Sequence, residues 1–362
     1  MPITAAQLND VFNLTHETHL RKGRKAIAQN VQDKPLIAAL DPKAGSFAGG
    51  RETLAFNVKD GAGGTAGWQG YSGDDPLSYD NPTGVKKVRY TWKEHFQGLQ
   101  VNFTELKQHG IDVLEDGVDQ STVAMSGREA HALGNALDEK MEMFDEDRKK
   151  SFNALLWGDG TADSKALAGI QAFILDNPAA GTTGGLSRST HTWWRNRAAT
   201  AAAAAAGSGN DEITSSTTNG GALIEFFGKE ERQRTRYGGQ RNAIVRLCGS
   251  DFLEALKREL RANGQYSQTG FNGRQDIDMG DVYFGNVRFR YDPTLDDLGY
   301  DKRCYTIDTS PNGIRLMYMD GNRHKKHNPA RPYDRMVMYS GASMTGVMVA
   351  FRLRTSGVYD IA

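Results

Sequence analysis

The chain has 362 residues, 38% hydrophobic and 24% charged, with 41 glycines against 10 prolines. That length holds two ordinary domains or one large fold with extensions, and the composition is too apolar for a disordered chain. Lysine plus arginine equals aspartate plus glutamate at 44 each, so the formal charge is zero; whole-chain charge gives no support for a dedicated nucleic-acid binder, and repulsion between copies would be small.

The N-terminal residues 1–28 contain no apolar core of signal-peptide length, and the longest low-polarity run, 198–206, is far too short to cross a bilayer. Cytoplasmic synthesis without a membrane anchor is the expectation. The two cysteines, Cys248 and Cys304, belong to no C-x-x-C pair. They define neither a disulfide framework nor a zinc site, and they read as reduced thiols.

Residues 1–50 read as an arm with little to bury. Its basic stretch includes Arg21, Lys22, Arg24 and Lys25. From 51 to 104 the pattern has period two, which predicts strands. Leu54, Phe56 and Val58 alternate with polar residues. Val88, Tyr90, Trp92 and Phe96 fall on one face, and after Gly98 the alternation resumes one residue out of phase at Leu99, Val101 and Phe103. A bulge is expected there. Between the two runs lies a glycine- and aspartate-rich tip, 60–84, carrying Trp68, Tyr71 and Tyr79. A two-stranded projection of this kind is marginally stable alone, so it must lie on another surface or be mobile at its tip.

One long helix is predicted over 126–157. Leu133, Leu137, Met141, Phe144, Arg148, Phe152 and Leu155 step by four and three, a single stripe interrupted by Arg148. Ser126 and Glu129 suit a capping box, and Gly158-Asp159-Gly160 ends the helix. Residues 161–335 read as an α/β domain. The alanine run to Ala206 with Gly207-Ser208-Gly209-Asn210 is expected to be a flexible surface loop. Helices are expected at 221–235 and 250–262, and strands at 244–247, 287–291, around Tyr305 and Ile307, and at 314–319. Val347, Val349, Phe351 and Leu353 alternate with Met348, Ala350, Arg352 and Arg354, which predicts a long strand near the chain end.

No residue set carries a recognisable reaction. The run Gly61-Ala62-Gly63-Gly64-Thr65-Ala66-Gly67 lacks the Gly-Lys-Ser/Thr ending of a phosphate loop. The pairs His324/His327 and His16/His19 want further ligands before zinc is credible, and solvated histidines are the expectation. Asp292, Asp296 and Asp297 around Pro293 fit a turn. No catalytic residue, cofactor or metal site is nominated. The basic clusters 21–25 and 323–335 suit either phosphate contact or a solvated surface.

The order of elements is more specific than any motif. A basic arm, a projecting hairpin, a very long helix, an α/β domain and a returning C-terminal strand follow one another. Local wording agrees: Leu155-Leu156-Trp157-Gly158-Asp159-Gly160, then Gly169-Ile170, then Thr182-Thr183-Gly184-Gly185-Leu186 with Trp193-Trp194-Arg195-Asn196. The last stretch follows the pattern G-G-[LI]-x-R-x-x-x-x-W-W-R-N. Tyr291-Asp292-Pro293-Thr294-Leu295 and Leu353-Arg354-Thr355-Ser356-Gly357-Val358 complete the set. This colinear series resembles the major capsid protein of tailed bacteriophages, with its α+β Hong Kong 97-type fold.

The resemblance implies an N-terminal arm over 1–50, an E-loop hairpin over 51–104, and a P-domain with its spine helix over 105–160. It further implies an A-domain over 161–335 and a C-terminal strand returning to the P-domain over 336–362. It implies a non-enzymatic subunit that self-assembles as hexamers and pentamers into an icosahedral virion shell around double-stranded DNA, built in the bacterial host cytoplasm. Trp68, Tyr71, Tyr79, Tyr90 and Trp92 would meet the next subunit, and residues 1–104 would be ordered chiefly by neighbours. Arg21, Lys22, Arg24 and Lys25 would face DNA, without sequence specificity. A scaffolding protein, a portal and a decoration protein are the implied partners, with no cofactor and no membrane. Lys59, Lys86 and Lys87 lie near the hairpin, but nothing fixes a crosslinking partner and none is expected. Two other readings fit the same residues: an encapsulin-type compartment of the same fold, and an unrelated α/β enzyme.

Overall fold

The computed structural model describes residues 3–4, 32–60, 68–79, 84–104, 113–114, 127–218, 220–262, 282–327 and 335–362. Arg21, Lys22, Arg24, Lys25, His16, His19, Ser126 and the glycine run 61–67 lie outside them. The chain forms two compact units, one of Met1–Gln32, Glu94–Asn153 and Gly321–Thr345, the other of Asp33–Lys93, Ala154–Asp320 and Gly346–Ala362.

In the first unit the long helix begins at Gly127, and it continues to Trp157, which belongs to the second. Its 31 residues give a rod of about 46 Å. Met141, Phe144 and Phe152 of the apolar stripe are buried. Arg148, the odd member, is paired with Asp145 at 3.0 Å, one turn back. The strand Lys93–Asn102 pairs with the long strand Val337–Ala350, and Phe103 N donates to Met336 O at 3.1 Å. Lys325–His327 pairs with Gly341–Ser343 of the same long strand. The histidines there are packed rather than simply solvated: His324 meets the edge of Phe152 at 5.6 Å, and His327 Nε2 hydrogen-bonds Ser343 Oγ.

The expected phase shift exists but sits earlier than Gly98. The strand Val85–Thr91 ends, Trp92 intervenes, and Lys93–Asn102 starts on the other phase. His95, Gln97, Leu99 and Val101 then turn inward, while Phe96 stays exposed. The strand break at Trp92 does what a bulge would have done.

The second unit is built on a six-stranded mixed sheet. Its strand order is Val282–Phe284, Val287–Tyr291, Ile244–Cys248, Arg303–Asp308, Gly357–Asp360, Arg197–Ala199. Helices Ala222–Arg236 and Ser250–Ala262 supply Leu223, Phe227, Phe252 and Leu256 to its core. Phe227 stands edge-on to Phe289 at 5.0 Å and to Tyr359 at 5.6 Å. Such aromatic pairs add to the free energy of burial itself.

Two expectations fail here for identifiable reasons. The alanine run is no loose loop: Arg197–Ala199 is the edge strand and Ala201–Ala205 a short helix, with Thr200 Oγ1 accepting from Ala203 N at 3.1 Å. Alanine is the best helix former, and its small side chain lets Ala199 and Ala203 disappear into the core. The C-terminal strand ends at Ala350, not Leu353, and its last seven residues, Met344–Ala350, are all buried. A strand covered on both faces has no reason to alternate. Gly357–Asp360 is a separate strand that enters the six-stranded sheet, between Arg303–Asp308 and Arg197–Ala199.

Candidate assembly interface

The hairpin has the expected pairing. Thr53–Lys59 runs antiparallel to Val85–Thr91, with Leu54 opposite Tyr90 and Phe56 opposite Val88. What holds its base is a socket made by residues 182–196 of the same unit.

The socket starts from a small turn. Thr182–Thr183 pairs with Leu186–Ser187, and Gly184 between them has φ of +61°. Arg188, fully buried, fills the space beneath. Its Nε donates to Thr183 Oγ1 at 2.9 Å, one terminal nitrogen to Asn196 Oδ1 at 2.7 Å, and the other to Phe173 O at 2.6 Å. The Trp194 indole N–H donates to Thr183 O at 3.0 Å, and Arg195 Nε to Arg188 O at 2.7 Å. Every one of these acceptors is neutral, so the guanidinium bears a desolvation cost, and burial pulls its pKa down to about 10. These residues are those of the G-G-[LI]-x-R-x-x-x-x-W-W-R-N pattern. Its first arginine Arg188, second tryptophan Trp194 and closing asparagine Asn196 are buried as the internal skeleton of the socket, while Trp193 is only half-buried.

The hairpin docks onto that skeleton. Arg89 N donates to Gly184 O at 2.9 Å, and the Tyr90 hydroxyl donates to Ala350 O at 2.9 Å. Tyr90 packs against Phe173, and Phe56 meets Phe351 edge-on at 4.7 Å. Burial keeps the Tyr90 phenol well above its ordinary pKa. Tyr90 is only 7% exposed. The base of the hairpin is thus packed against its own chain through Tyr90. Trp92 is half-buried, with its indole N–H donating to Arg51 O at 2.8 Å.

The tip is different. Trp68, Tyr71 and Tyr79 are 106%, 70% and 89% exposed, with Leu77 also exposed beside them. Gln69 bridges to Ser78, and Ser72 N donates to Asp75 Oδ2 at 2.9 Å, so the polar groups of the tip satisfy one another while the rings face outward.

The other quoted phrases also resolve into packing. Gly169 lies against the carbonyl oxygens of Leu155, Leu156 and Gly158, where a Cβ has no room, and its N–H donates to Gly158 O at 3.0 Å. Asp292 caps the short helix Pro293–Asp297 through Thr294 N at 3.0 Å. Ser356 Oγ accepts from Asp308 N at 3.1 Å. Sequence reasoning passed over Glu259, fully buried, which accepts from Leu223 N at 2.9 Å and from Ser216 N at 2.9 Å and so caps the helix Ala222–Arg236. Its spacing from Phe252, Ala255 and Leu256 sets it on the buried face of the helix Ser250–Ala262, the signal that could have found it.

Among the described residues, no group of three or more His, Cys, Asp or Glu side chains is placed to hold a metal ion. No helix among them is long and apolar enough to cross a membrane.

No protein-family model matches the sequence, and no curated protein matches it. Solved structures do. A chain of the cyanophage A-1(L) capsid asymmetric unit is 17% identical with a TM-score of 0.60, over 96% of this chain and 99% of that one. A chain of the capsid of Myoviridae phage XM1 is 10% identical with a TM-score of 0.53, over 93% of this chain and 95% of that one. At such identities the likeness is one of fold. The chain has the α+β fold of tailed-phage capsid proteins, the Hong Kong 97-type fold its colinear segments resemble.

Proposed function

We propose that this chain is the major capsid protein of a tailed bacteriophage, assembling as hexamers and pentamers into an icosahedral shell that encloses double-stranded DNA. The observation that carries this reading is the hairpin: a base locked into its own subunit and a tip that presents Trp68, Tyr71 and Tyr79 to solvent. A rigid base aims the tip, and a second copy of the chain supplies the surface that covers it. Each contact can be weak, because many add up in a closed shell. The near end-to-end agreement of fold with capsid chains supports the same conclusion. The role is structural and the particle is the virion, assembled in the host cytoplasm. Scaffolding, portal and decoration proteins are the further partners. The basic arm, Arg21, Lys22, Arg24 and Lys25, contacts packaged DNA through its phosphates.

The test is assembly. The wild-type chain, expressed alone and with a scaffolding partner, forms closed particles visible by electron microscopy. The triple variant Trp68→Ser, Tyr71→Ser, Tyr79→Ser keeps the thermal midpoint of the unassembled subunit and forms none. A wild-type chain that stays monomeric or dimeric at high concentration under every condition, or a triple variant that assembles like wild type, overturns the reading.

A further inference from the structure

The two cysteines, 56 residues apart in sequence, meet in the middle of the six-stranded sheet. Cys248 stands directly opposite Cys304 in the antiparallel register of Ile244–Cys248 and Arg303–Asp308. Gly249 N donates to Arg303 O at 2.9 Å, and Thr309 N donates to Ala243 O at 2.9 Å. The odd-numbered positions of 243–249 are therefore the hydrogen-bonded pairs. Cys248/Cys304 is a non-hydrogen-bonded pair, the kind whose side chains approach closest. Its Sγ atoms are 3.3 Å apart, and both thiols are free and fully buried. The Cα separation of such a pair, about 4.5 Å, lies inside the window of about 4.4–6.8 Å that a disulfide spans.

The geometry points to Cys248 and Cys304 as an intramolecular disulfide site, held so that oxidation joins the two central strands of one chain without backbone rearrangement. Each thiol gives up one hydrogen as the S–S bond forms. The two electrons and two protons pass to the oxidant: dissolved oxygen, outside a reducing cell, leaves as hydrogen peroxide. The surroundings set the rate. Both thiols sit in the apolar cluster with Phe227, Phe252, Phe289 and Tyr359, and burial holds Cys248 in its protonated form, far above its ordinary pKa. Only the thiolate reacts, so the bond forms slowly, through local opening, and a chain made in a reducing cytoplasm starts with both thiols reduced. Once formed, the bond closes the loop between positions 56 residues apart, which on chain entropy lowers the unfolding equilibrium constant by about a thousandfold. The site stands whether or not the chain forms a shell.

The experiment treats the purified full chain with diamide, whose azo group takes up the two hydrogens, then denatures it in iodoacetamide. The expected product is a monomer on a non-reducing gel, lighter by two hydrogens, with neither cysteine alkylated and one peptide joining Cys248 to Cys304. Its thermal midpoint rises, and dithiothreitol reverses the rise. Cysteines still alkylated after denaturation, a bond between chains, or a midpoint that does not rise would each overturn the inference. Cys304→Ser should abolish the shift; if that variant does not fold, the peptide map of the wild type decides alone.

Discussion

Gly184 is the position at which the hairpin and the body of its unit meet, and replacing it with alanine tests the socket directly. Two costs add. The residue has φ of +61°, where a Cβ costs about 1–2 kcal/mol. The new Cβ would also lie 3.0 Å from Tyr90 Cζ and Oη and 3.0 Å from Val88 Cβ, an overpacking that costs about 1–3 kcal/mol. Gly185 separates the two terms: its φ is +83° but nothing lies within 4 Å of a Cβ there. Gly184→Ala should lose about 2–5 kcal/mol and Gly185→Ala about 1–2 kcal/mol. Differential scanning calorimetry of the unassembled subunit should show the first midpoint falling by about twice as much as the second, at about 2–4 °C per kcal/mol. If the hairpin yields instead, the Tyr90–Ala350 and Arg89–Gly184 hydrogen bonds break together. Proteolysis within 60–84 then quickens in Gly184→Ala alone. Equal midpoints and equal proteolysis for the two variants would refute the closed socket.

Arg188→Lys keeps a buried charge but cannot span Thr183 Oγ1, Asn196 Oδ1 and Phe173 O with one ammonium. A loss of about 2–4 kcal/mol is expected, read as a lower urea midpoint. Asp292 is buried, and desolvation chiefly raises its pKa above the ordinary 3.8. The folded state therefore holds the proton more tightly than the unfolded one, so the stability it contributes is full below 3.8 and is lost as pH rises through the folded value. Asn keeps the helix cap without the charge, so in urea titrations Asp292→Asn should gain on wild type as pH rises above 3.8 and level off once pH has passed the folded value, and parallel pH profiles would contradict the buried carboxylate.

Local periodicity is what the sequence carried on its face. The alternation of Leu54, Phe56 and Val58 against Val88 and Tyr90 specified a hairpin, and Met141, Phe144 and Phe152 specified a helix, because one-sided burial stamps a period on each element. Colinear order then pointed to the capsid fold. Tertiary structure decided the rest, where the partners are distant in sequence. Tyr90 looks like any aromatic of an amphipathic strand until its hydroxyl finds Ala350, 260 residues on. Arg188 is a surface residue by composition and a core residue by its three acceptors. The strand Val337–Ala350 lost its alternation because both faces are covered, and Cys248 met Cys304 only through strand register. A period records which side of an element is buried; it carries no record of what buries it.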